Sequence, residues 1–300
     1  MIVRILGTAA GGGYPQWNCN CRNCAYARDR NISRLQTALA VSADGISWTL
    51  VNACPDLPQQ ISATAALKPA ARAPLRSSPI RAVVLTGAEI DQIAGLLVLR
   101  ERQPLALYAA EPVLAMLAAN TIFDALAEDI VDRIAVRPGQ LFSPRACEGL
   151  HISLFAVSGK VPLYAETKDG AGDGATTCGV RFTDPATGGS LCFVPACAAV
   201  TDDLIGAIDG ASILLFDGTL FSEDELIGQD LSHKTGARMG HVPMSGEGGA
   251  MAGLRAARVG RRMFIHINNS NPVLRKDSAE RHVLAREGWE MASDGMELIL

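Results

Sequence analysis

The chain predicts a mixed α/β fold in which sheets of mixed strand direction are covered by helices. Three observations carry that expectation. Short apolar and β-branched runs bounded by turn signals recur along the whole sequence, and stretches of helical periodicity lie between them. The first half also holds more hairpin-like strand pairs than a repeating βαβ unit would. With 300 residues, 48% of them hydrophobic, the chain can bury a large core as one domain spanning 1–300.

Strands are expected, in order, at 2–6, 37–41, 48–51, 82–85, 105–108 and 152–157, then at 179–182, 191–194, 213–216, 263–267 and 297–300. Helices are expected at 92–100, 112–118, 201–207, 249–257 and 278–287. The longest glycine-rich polar stretch, 167–174, falls between strand-like runs and reads as a mobile surface loop rather than a domain boundary.

Composition narrows the function. The 27 basic and 31 acidic residues give a net charge of −4 with no block of like charge, which argues against nucleic acid as a partner. No stretch approaches the roughly 20 uncharged apolar residues of a membrane helix. The opening run is interrupted by Arg4 and stopped by Gly7, unlike a secretion signal. Cys54, Cys147, Cys178, Cys192 and Cys197 are scattered singly with no disulfide framework, so a cytoplasmic location is expected.

The remaining thiols are clustered. Cys19, Cys21 and Cys24 fall within six residues, with Cys21-x-x-Cys24 read as a turn that points two sulfurs at one ion. They are read as three corners of a structural zinc tetrahedron whose fourth ligand comes from elsewhere. Two of the five histidines have informative surroundings: His241, in a glycine-rich loop, and His266, at the end of a strand that runs into Asn268-Asn269-Ser270-Asn271-Pro272. That string either aims polar groups into a cleft or packs a core histidine beside turn-forming asparagines. Asp91 precedes a helical segment and is placed to cap it. Asp217 ends an apolar strand, at a turn or in a cleft. Gly11, Gly12 and Gly13 lack the spacing of a phosphate cradle and suggest a tight backbone path along a cleft wall.

Taken together, the run 7–19, the segment 52–60, Gly159-Lys160-Val161-Pro162-Leu163, Phe216-Asp217-Gly218-Thr219, Met239-Gly240-His241 and the string 266–272 resemble the pyrroloquinoline quinone (PQQ) biosynthesis protein B family. That family is part of the metallo-β-lactamase-like superfamily. The resemblance implies a four-layer αββα sandwich of two mixed sheets with a cleft at one edge. It further makes Asn269 the best candidate for the fourth ligand of the zinc site of Cys19, Cys21 and Cys24, with water or His266 as the alternatives. The superfamily's metal-binding string, His-x-His-x-Asp-His, here has Gly87 and Glu89 in place of its first two histidines, and only Asp91 survives. Iron ligands would map to Asp91, position 92, His241 and His266, but position 92 is Gln92, an amide where the family commonly keeps an imidazole. Cys197 stands where hydrolytic relatives carry a metal-bridging aspartate, so a two-zinc hydrolase centre looks dismantled. The implied activity is Fe(II)- and dioxygen-dependent hydroxylation of the tyrosine in a cross-linked Glu-Tyr precursor. The alternative is a carrier for the quinone or its precursor. The expected partner is thus a small-molecule or dipeptide quinone precursor, with a homodimer left open.

Overall fold

The computed structural model describes residues 1–166 and 175–300, so the surface loop expected at 167–174 lies outside the described residues. The strands are β1 (Ile2–Gly7), β2 (Ala38–Ser42), β3 (Trp48–Val51), β4 (Ile80–Val84), β5 (Leu105–Ala109), β6 (Val131–Ala135), β7 (Leu141–Phe142) and β8 (His151–Ala156). They continue with β9 (Cys178–Thr183), β10 (Ser190–Val194), β11 (Ile213–Asp217), β12 (Arg261–Ile265), β13 (Trp289–Met291) and β14 (Glu297–Ile299). They form two seven-stranded sheets, ordered β14-β1-β2-β3-β4-β5-β6 and β13-β12-β11-β10-β9-β8-β7.

Each sheet is antiparallel on one side and parallel on the other. In the first sheet β14, β1, β2 and β3 pair antiparallel, and β3 to β6 run parallel. In the second, β7 to β10 are antiparallel and β10 to β13 parallel. The hairpin signal in the first half reflects β1, β2 and β3.

The strand period of two explains how the layers stack. Leu191, Phe193, Leu215, Met263 and Ile265 face the first sheet and join Val3, Leu39, Leu50 and Val83 in one buried cluster. The alternate residues Cys192, Val194, Leu214, Phe216 and Phe264 join a second cluster with the outer helices. Burial on both faces is why these strands read as unbroken apolar runs. Each large side chain fully buried in this way contributes about 1.5–3 kcal/mol. Phe264 also stacks on Trp289 at 4.1 Å. The αββα sandwich implied by the family resemblance is the fold observed.

The helices are α1 (Arg22–Asp29), α2 (Leu57–Ala63), α3 (Ile90–Ile93), α4 (Glu111–Ala118), α5 (Asp202–Ile208), α6 (Gly236–Met239), α7 (Ala250–Gly253) and α8 (Ala279–Arg286). Thr201 and Ser278 cap α5 and α8, their side chains accepting from the amides of Leu204 and Arg281. Two expected helices are shorter than their periodicity suggested. After one turn, α3 tightens into a 3₁₀ stretch at Ala94–Leu99, and α7 does the same at Leu254–Ala256. Gly95 lets the first of these pack against the 53–54 backbone, since a Cβ there would lie 2.1 Å from the Cys54 carbonyl oxygen. The structure corrects the capping role expected of Asp91. Glu89 is the residue that caps α3, and Asp91 lies inside the helix. No helix among the described residues is long and apolar enough to cross a membrane.

Candidate functional site

The carboxyl ends of the parallel strands from both sheets open onto one cavity of about 480 Å³. Asp91, Gln92, His241 and His266 all line it. Gly11 and Gly12 form part of its wall, and a Cβ on Gly11 would stand 3.4 Å from Asp91 Oδ2. The first two glycines of the run are therefore part of a cleft wall.

His266 leaves the end of β12 with φ +60, a left-handed conformation uncommon for a residue with a Cβ. Backbone bonds on both sides impose it. The Gly218 amide donates to the Ile265 carbonyl at 2.8 Å, and the Ile267 amide donates to the Thr8 carbonyl at 2.8 Å. The ring so aimed places Nε2 2.9 Å from Asp91 Oδ2. Its other face stacks on His241, with centroids 5.4 Å apart and planes inclined at 21°.

A buried network orients both rings. His241 Nδ1 lies 2.7 Å from Asp217 Oδ2, and His266 Nδ1 lies 2.9 Å from Thr219 Oγ1. Thr219 Oγ1 donates to Asp217 Oδ1 at 2.7 Å, and the Thr219 and Cys197 amides donate to the same carboxylate at 3.0 and 2.9 Å. With its hydroxyl proton committed to Asp217, Thr219 accepts from His266 Nδ1. The tautomers assigned from this network carry the proton on Nδ1 in both rings and leave both Nε2 lone pairs outward. Asp217, Thr219 and the imidazoles thus form an orienting shell behind the two Nε2 atoms.

Charge sharpens the Asp91–His266 contact. Burial penalises both ions, yet their mutual hydrogen bond and attraction prevail, lowering the Asp91 pKa and raising that of His266. Two acceptors at 2.9 Å require a proton or a metal cation between them. The carboxylate with an oxygen within 4.8 Å of a nitrogen on each imidazole is Asp217, so Asp217, His241 and His266 are the donors brought together, with Asp91 reaching His266. A carboxylate with two imidazoles suits ferrous iron or zinc. Gln92 is oriented differently. Its Oε1 accepts the Glu89 amide at 3.2 Å and covers Gly87, where a Cβ would lie 2.4 Å from that oxygen. The amide therefore fills the space left beside Gly87. The Cys197 thiol faces the Ala199 carbonyl at 3.2 Å, and burial pushes its pKa up to about 12.

The thiol cluster lies on the loop that follows His266. The sulfurs of Cys19, Cys21 and Cys24 lie within 4.8 Å of one another. That spacing accommodates the edge of a ZnS₄ tetrahedron, about 3.8 Å for Zn–S bonds of about 2.3 Å. Asn269 Nδ2 faces all three, at 3.2, 3.7 and 3.4 Å in that order. Burial pushes the Cys24 thiol up to about 11; burial also opposes ionisation of Cys21, but the Cys24 amide and the Cys19 thiol hold it below the ordinary thiol value. The Cys-x-x-Cys segment proves to be a helix start rather than a free turn, with Cys21 at the N-cap of α1 and Cys24 within it. Sequence reasoning missed that helix because its polar exposed face masks a buried stripe of only Asn23, Cys24 and Ala27. It gave Thr219 no role, although the string Phe216-Asp217-Gly218-Thr219 is among those that carry the family resemblance.

Comparison with known proteins places these features in context. A β-lactamase superfamily domain model matches residues 47–267. Coenzyme PQQ synthesis protein B of Methylobacterium sp. (strain 4-46) is 50% identical over 305 residues, covering 100% of both chains. Its namesake in Rhodopseudomonas palustris (strain BisB5) is 49% identical over 308 residues with the same coverage. Among solved structures, that of Zn(2+)-bound PqqB from Methylobacterium extorquens superposes with a TM-score of 0.95 at 46% identity, covering 100% of each chain. A diphosphatase from the PhnP family, at 19% identity and a TM-score of 0.68, covers 100% of this chain and 97% of its own and shares the fold.

Proposed function

Because this chain belongs to the coenzyme PQQ synthesis protein B family of the β-lactamase superfamily, we propose that it acts in PQQ biosynthesis as an iron-dependent hydroxylase of the tyrosine ring in a cross-linked Glu-Tyr precursor. The observation that carries this reading is the approach of Asp91 Oδ2 to His266 Nε2 at 2.9 Å beside the stacked His241 ring. One carboxylate and two imidazoles are the donors of many non-haem iron oxygenases. Iron bound there, with dioxygen as co-substrate, would supply the redox chemistry for adding oxygen to a phenol.

The protein's own groups have separable tasks. Asp217 and Thr219 keep protons on the Nδ1 atoms and so present both Nε2 lone pairs. Asp91 brings the negative charge that offsets a cation. A cavity of about 480 Å³ is of the size that encloses a small ligand. Gln92, turned onto Glu89, holds the start of α3 in place. At the thiol cluster, Cys19, Cys21 and Cys24 would hold a structural zinc, with Asn269 as the fourth side chain once its amide is turned to present Oδ1, since the Nδ2 that faces the sulfurs only donates.

The orientation of Gln92 favours the carrier alternative, since it leaves fewer donors for iron. Anaerobic loading with Fe(II), followed by air and a Glu-Tyr peptide, separates the two readings. With a two-electron reductant such as ascorbate supplied, a hydroxylase takes up one iron in the cleft, consumes oxygen only with peptide present, adds one oxygen atom to the tyrosine and releases the other as water. Gln92→His should tighten iron binding about tenfold by adding an imidazole donor. Retention of PQQ without oxygen uptake, in parent and variant alike, would make the protein a carrier.

A further inference from the structure

The orienting network and the Asp91–His266 pair leave two cationic side chains in the cleft without a role, Lys160 and the more exposed Lys234. Lys160 lines the cavity, half-buried, and makes no ion pair among the described residues. Its position is built rather than incidental. Gly159 is pressed against Thr177, whose Oγ1 would lie 2.2 Å from an added Cβ and donates to the Lys160 carbonyl at 3.4 Å. The Ser158 carbonyl accepts the Ala198 amide at 2.7 Å, and the Cys197 carbonyl accepts the Val242 amide at 2.6 Å. The loops bearing Lys160 and His241 therefore hang on adjacent residues, Ala198 and Cys197.

The aliphatic stem of Lys160 crosses Gly240, immediately before His241. A Cβ on Gly240 would lie 3.0 Å from its Cγ and 3.3 Å from its Cδ, and the φ of +83 there also favours glycine. Among the lining side chains, Glu89 and Asp91 are matched by Lys160 and Lys234. A divalent cation at Asp91 would thus leave the cleft net positive and suited to an anionic ligand.

We propose that Lys160 is the carboxylate anchor of the cleft, pairing with an acidic group of the substrate and setting how its aromatic ring lies toward His241 and His266. The assignment rests on the proposed function for the phenol ring, and on the geometry above for the anion. Equilibrium binding to the full-length, iron-loaded chain under anaerobic conditions tests it without turnover. The probes are Glu-Tyr, Gln-Tyr and Glu-Tyr amide, each titrated into the parent, Lys160→Met and Lys160→Arg.

The parent should bind Glu-Tyr about tenfold more tightly than at least one of the two amides, as a charge-assisted hydrogen bond implies. Lys160→Met should lose that preference and bind Glu-Tyr about tenfold more weakly at unchanged metal content, and Lys160→Arg should restore most of it. A parent that does not discriminate among the probes, or a Lys160→Met variant that discriminates as the parent does, overturns the assignment. Admitting oxygen then reads the hydroxylase separately: binding preference without turnover would leave Lys160 as the anchor and remove the hydroxylase.

Discussion

Three of the four side chains that meet at the thiol cluster come from the six residues between Cys19 and Cys24, whereas the cleft joins Asp91 to His266 across 175 positions. The two sites nevertheless share one loop. His266 opens it and Asn269, three residues later, faces the sulfurs. Asn23 fastens the same loop by donating to the Asn269 and Asn271 carbonyls at 3.0 and 2.8 Å. A site written in one short segment can thus act as the anchor for a site assembled from distant ones.

If the thiols are that anchor, breaking them should have the largest effect. Cys24→Ser should remove one zinc per chain and lower stability by roughly 3–5 kcal/mol, read by metal analysis and thermal unfolding. It should also weaken metal binding in the cleft, because the loop after His266 loses its fastening. Unchanged cleft affinity in a zinc-free variant would mean the two sites are independent.

Asp217→Asn probes the other side of the comparison. The variant keeps the shape of the carboxylate but replaces one of its two acceptor oxygens with an NH₂ group, which cannot accept from both His241 and Thr219. Metal affinity in the cleft should fall about 10–100-fold, with zinc at the thiols retained. Titration with metal, monitored alongside thiol-bound zinc, would read the two sites at once. Equal losses at both sites would point to general unfolding instead.

A pH-dependent effect is expected at the shared loop. Glu225 accepts from Ser270 Oγ at 2.5 Å and from the Phe221 amide at 2.7 Å, and burial raises its pKa from 4.5 to about 7. The folded chain therefore holds this proton more tightly than the unfolded one. Its contribution is complete below pH 4.5, falls as pH rises towards 7 and is lost above that, a total of about 3 kcal/mol. Glu225→Gln should lack this slope and be more stable than the parent at pH 8, with the difference narrowing by pH 5. Denaturant midpoints at the two pH values check it, and parallel slopes for both proteins would refute it.

Much of the fold could be read from the sequence because both inner and outer faces of the central strands are buried. Leu214, Leu215 and Phe216, for example, form an apolar run that needs no partner to be recognised. Edge strand β6 escaped notice, since its burial is broken by an exposed Asp132 and Ala135. Strands β7 and β13 are only two and three residues long. In the cleft, Asp91, His241 and His266 could be named from motif context, but Asp217 was left between a turn and a cleft position. Both descriptions hold: one oxygen closes the turn onto Thr219 and the other reaches His241.

The sequence by itself determined the thiol cluster and picked out Asp91, Gln92, His241 and His266, which line the cleft, because cysteine spacing constrains local geometry and residue type sets which atoms can donate or accept. Only the tertiary structure decided which nitrogen each histidine turns outward, that Gln92 folds back on Glu89, and that Asn269 meets three sulfurs. Those outcomes depend on how the ends of two sheets meet: the Ile267 amide bonds to the Thr8 carbonyl at 2.8 Å, and a contact between segments so far apart has no local signature in the chain.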